Sequence, residues 1–69
     1  MTNPTYQYLS NDEKSAIVEA TVRNIEYQMY QSELQLIVEK ARKEPDAARV
    51  AYLEEDIKDK QVQIESINS

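Results

Sequence analysis

Two rows of apolar residues stand on either side of one proline and mirror each other. Before Pro45 the row is Tyr27, Tyr30, Leu34, Ile37, Ala41; after it the row is Val50, Leu53, Ile57, Lys60, Ile64, Ile67. Both step by alternating threes and fours, the spacing of a helix seam. Folding the chain back at residues 44–46 sets 41 against 50, 37 against 53, 34 against 57, 30 against 60 and 27 against 64. One antiparallel register satisfies every pair. The pattern predicts an all-α fold, an antiparallel two-helix hairpin with a long first helix and a shorter second. It constrains architecture far more than activity.

The ends of the helices follow from local chemistry. Ser10 with Glu13 three residues later fits a capping box, and Asp12 and Glu13 suit the positive end of the helix dipole. Lys40, Arg42 and Lys43 suit the negative end, and Glu44 is pushed out of helical geometry by the proline after it. These signals predict a first helix at about 11–43. Pro45 suits the first position of a new helix, leaving Asp46 as cap or first-turn acid. The second helix is predicted at about 46–67, so residues 10–69 form the hairpin. Residues 1–9, with Pro4, Tyr6 and Tyr8, are read as an extended or disordered arm.

The first helix carries a second stripe with the same three-four spacing: Val18, Val22, Ile25, Met29, Ser32, Leu36, with Ile17 beside it. At ~100° per residue this stripe lies well away from the row at Tyr27–Ala41. A monomeric hairpin has no use for two apolar stripes on one helix. The expectation is a homo-oligomer, a twofold dimer for preference, in which this second face joins two hairpins into a four-helix bundle. The alternative is a monomeric adaptor or inhibitor that binds a host protein through Val18, Val22, Ile25, Met29 and Leu36.

Composition narrows the function classes. The 69 residues include no Gly, Cys, His, Phe or Trp. Without glycine there is no phosphate-cradling loop, which excludes the common nucleotide fingerprints. Without histidine or cysteine the usual zinc ligands, general bases and thiolate nucleophiles are missing. The expectation is a non-enzymatic protein with no catalytic, cofactor-binding or metal-ligating residues and no cofactor. The net charge of −5 argues against nucleic acid as a partner, since it repels phosphates. No apolar run approaches the ~18 residues of a membrane span. The first residues lack a basic region leading into an apolar core, so the expected compartment is the cytoplasm.

Charged residues are read as solvated faces. The row Glu19, Glu26, Glu33 flanks the first helix as coiled-coil charges do, and a carboxylate metal site in a bundle would also call for histidine. Glu54, Glu55, Asp56 and Asp59 alternate with Lys58 and Lys60, and Lys40, Arg42, Lys43 and Arg49 gather at the hairpin tip. Lys60 is expected to face Tyr30 and to fix register as a polar residue in an apolar seam.

The run Arg23-Asn24-Ile25-Glu26-Tyr27, with Tyr30 and Glu33 following and Pro45-Asp46-Ala47-Ala48 at the turn, resembles short uncharacterised helical-hairpin proteins encoded by marine cyanophages. The resemblance spans most of residues 10–67. It implies a chain of this length and layout, a small viral accessory protein acting in an infected host's cytoplasm. It transfers no activity or binding residue.

Overall fold

A computed structural model describes residues 8–69. They form two α-helices, α1 (Asn11–Lys40) and α2 (Ala47–Asn68), folded back on each other through residues 41–46. Residues 1–7 of the expected arm, Tyr6 included, lie outside the described residues. Tyr8 is exposed and Leu9 half-buried.

Ser10 caps α1 in extended geometry, φ −71° and ψ 164°. Its hydroxyl accepts the Glu13 N–H at 3.1 Å, and Glu13 Oε1 accepts the Ser10 N–H at 2.8 Å. Two backbone donors that a helix start leaves unpaired are thereby satisfied reciprocally. The Ser10 backbone N–H, and then its hydroxyl, hold the Glu13 carboxyl below the usual carboxylate range.

The reversal is made without a left-handed residue. Helix C-termini often close on glycine at positive φ; here no described residue has positive φ. The Ala41 N–H still reaches Ile37 O at 3.0 Å, and the Arg42 N–H then tightens onto Glu39 O at 3.2 Å. The chain leaves the helix there, so α1 ends at Lys40 rather than near 43. Asp46 is the cap of α2, at φ −80° and ψ 109°. Its Oδ1 accepts the N–H groups of Ala48 at 3.0 Å and Arg49 at 3.3 Å. Pro45 therefore precedes the cap instead of opening the helix, where its fixed φ still costs nothing.

The inward face of α2 is the row Val50, Leu53, Ile57, Lys60, Ile64, Ile67. Leu53 is buried at 2 % exposure and the other five are half-buried. The inward face of α1 is not the row assigned to it from the sequence. Tyr27, Tyr30, Leu34 and Ile37 are 65, 60, 44 and 63 % exposed, and Ala41 is exposed as well. The face turned to α2 is instead Val22, Ile25, Met29, Ser32 and Leu36, half-buried or buried. The Ser32 hydroxyl reaches across to Asp56 Oδ2 at 2.7 Å, which fixes the rotation of α1. The antiparallel direction stands, but α1 is turned almost half a revolution from expectation.

The reason lies in what each stripe would bring into the seam. Ser32 is small and lets the two backbones approach, whereas Tyr27 and Tyr30 are bulky and carry hydroxyls that need partners when buried. The same rotation brings Glu39 under the turn. Its Oε2 accepts the Asp46 N–H at 3.0 Å, and its carboxylate takes the Arg42 guanidinium at 3.1 and 3.2 Å.

Candidate functional site

Turning α1 this way leaves its other apolar stripe facing water. Tyr27, Tyr30, Leu34, Ile37 and Ala41 form a continuous ridge on the side away from α2. Continued toward the N-terminus at the same spacing, the ridge takes in Arg23, Ala20 and Ala16. The full series steps 16, 20, 23, 27, 30, 34, 37, 41, an unbroken alternation of fours and threes. One flank carries Glu19, Glu26, Glu33 and Lys40, each seven residues after the last. The other carries Ile17, Asn24, Gln31 and Val38, again seven apart, with Ile17 52 % and Val38 65 % exposed. Taken as a buried seam, the row leaves out Arg23, Ala16 and Ala20 on the ridge and Val38 on its flank; the heptad spacing is the signal for them.

The tip end of the ridge is braced by α2. Arg49 donates to Gln35 Oε1 at 2.9 Å and lies over the Tyr52 ring at 6.0 Å. Leu34, Gln35, Val38, Glu39 and Arg49 line a shallow recess of about 320 Å³ beside them. Lys40 reaches Glu54 at 3.3 Å across the helices, with both side chains more than half exposed. At such exposure the pair holds orientation more than it stabilises.

Lys60 does not meet Tyr30. It is largely covered and donates to Asp56 Oδ1 at 2.8 Å. Asp56 thus takes Lys60 on one oxygen and Ser32 on the other. These two bonds, Lys60 first, hold its carboxyl below the usual range. Lys60 remains a polar member of the seam, but its partner is on its own helix and the link to α1 runs through Asp56. Glu39 is buried and likewise held low, first by the Asp46 N–H and then by Arg42, against the cost of its burial. Each carboxylate is engaged by two donor groups, and Glu39 borders the shallow recess at the tip. Among the described residues no three potential metal ligands converge, and no helix is long and apolar enough to cross a membrane.

The residues expected to form an oligomer or partner interface are split. Val22, Ile25, Met29 and Leu36 face α2 and are half-buried there, and Ser32 is buried. Ile17 and Val18 lie near the free end of α1 and remain exposed, Val18 at 42 %. Val18 and Val22 line an open recess of about 540 Å³ with Lys14, Glu19 and Asn68. The face named for the adaptor reading, Val18, Val22, Ile25, Met29 and Leu36, is therefore largely turned toward α2, with Val18 left exposed. Comparisons with protein-family models, curated proteins and solved structures give no match.

Proposed function

We propose that the chain is a non-enzymatic self-association module whose outer α1 ridge, Tyr27, Tyr30, Leu34, Ile37 and Ala41, joins hairpins into a helical bundle. The observation that carries this reading is the ridge itself. Four large apolar side chains in heptad spacing lie open on one side of a helix, and soluble monomers seldom leave such a continuous surface uncovered. A second observation supports it. Leu53 is the one apolar side chain buried among the described residues, and no side chain is buried completely. A core this thin leaves a short chain marginal, and association is the remaining way to enlarge it where disulfides are impossible. An accessory role in an infected host's cytoplasm, which the sequence resemblance implies, suits such a module and belongs to the same proposal.

The test is absolute mass by light scattering across a dilution series, for the wild type and for Ile37→Glu. A wild-type mass of two chains or more, falling to one chain in Ile37→Glu with helicity kept, is the expected result. A wild-type monomer at every concentration overturns the reading.

A further inference from the structure

We propose that the ridges of two copies of this chain pack antiparallel and that Arg23 sets that orientation. This rests on the self-association proposed above and adds its geometry.

Arg23 is the one charged residue on the ridge line between Ala16 and Ala41. It is exposed, and no ion pair engages it among the described residues. In a parallel pair each ridge residue meets its own copy, so Arg23 would face Arg23 of the partner subunit in the middle of the seam. Two guanidiniums brought together while losing water oppose that arrangement strongly.

The antiparallel pair has a register that matches the ridge from Arg23 to Ala41. Tyr27 meets Ile37 of the partner subunit, and Tyr30 meets Leu34 of the partner subunit. Each ring then packs against an aliphatic side chain, which fills a seam more evenly than ring on ring and aliphatic on aliphatic. In the same register Arg23 falls beside Ala41 of the partner subunit. That is the carbonyl end of the partner's α1, where the helix dipole favours a cation. On the flank, Glu26 comes beside Lys40 of the partner subunit, twice by symmetry. Lys40 is more than half exposed, so its contact with Glu54 leaves it accessible. Glu33 approaches Glu33 of the partner subunit at the axis, a like-charge meeting on a wet rim where water and salt screen it. The α2 helices lie outside, on the opposite faces of α1, and obstruct neither arrangement.

The natural chain has no cysteine, so any disulfide reports an introduced pair. Tyr27→Cys and Ile37→Cys proteins, made separately and mixed before mild oxidation, distinguish the orientations by the mass of the linked peptides. The expected product is the mixed 27–37 disulfide, in excess over 27–27 and 37–37 by at least about tenfold. Predominant 27–27 and 37–37 links overturn the antiparallel geometry. Oligomeric mass with no link at all overturns the use of this ridge. A monomeric wild type overturns the underlying self-association instead, so the two failures are separable. Adding Arg23→Leu to both variants should let the self-links appear beside the mixed one. An unchanged pattern overturns the role of Arg23.

Discussion

Glu39 and Asp56 are covered carboxylates that help tie the hairpin together, one at the turn and one at mid-seam. Both ionise more readily in the folded chain than in the unfolded one. A depressed folded value means that their bonds stabilise the fold at neutral pH, and that this contribution is lost as pH falls through the lowered values, below about 4. Protonating the other acids acts the opposite way, since it relieves the self-repulsion of a chain of charge −5. The observable is therefore a difference. Thermal melts followed by circular dichroism should show Glu39→Gln/Asp56→Asn losing less stability than wild type between pH 7 and about pH 3. Parallel losses in the two proteins would mean that neither carboxylate bond matters. The pairing of Asp56 with Lys60 was legible as acid before base at a spacing of four, but its bond to Ser32 was not, and Glu39 reads only as one charge among several near a helix end. Only folding brings the Asp46 N–H to one and the Ser32 hydroxyl to the other.

The two helices are specified by their ends as much as by their faces. Ser10 and Glu13 start α1, and Asp46 starts α2 with both first-turn bonds in place. Asp46 also donates its own N–H to Glu39, so one residue joins the cap to the turn. Asp46→Ala keeps that backbone donor and removes the two cap bonds. It should cost about 1 kcal/mol, read as a shift of the urea midpoint with the slope unchanged. A shift within error would mean that the α2 start is held by packing alone. Start signals of this kind act within one turn of chain, which is why they can be read without the fold. The end of α1 is different. With no glycine to take positive φ, the chain needs residues 41–46 to turn back, and the helix gives up its last basic turn to supply them.

The described residues form a rod of 57 × 23 × 18 Å, essentially two helices side by side. Such a rod has little interior, and the stability of the assembled form should depend on concentration. The melting temperature of the wild type is expected to rise with protein concentration, as mass action requires when association stabilises the folded chain. Ile37→Glu should melt lower and at a temperature that dilution does not move. A wild-type melting point independent of concentration would speak for a hairpin stable by itself and against the proposed bundle.

Helix type, helix order, the capping box, the antiparallel direction and the inward row of α2 were all written in the sequence. Each depends on spacing or on bonds within a turn, and α2 has a single apolar stripe that leaves no choice of face. The rotation of α1 was not written there. Its two stripes share one period and lie about 150° apart, so their directions nearly cancel and the helix has almost no net amphipathic sense. Periodicity locates both stripes and cannot rank them. The choice fell to contacts between residues far apart in the chain. Ser32 meets Asp56 across the seam, and Glu39 takes up the N–H of Asp46 beyond the turn. Tertiary structure therefore decided which stripe became core and which was left exposed, because only the folded hairpin brings those polar partners within reach.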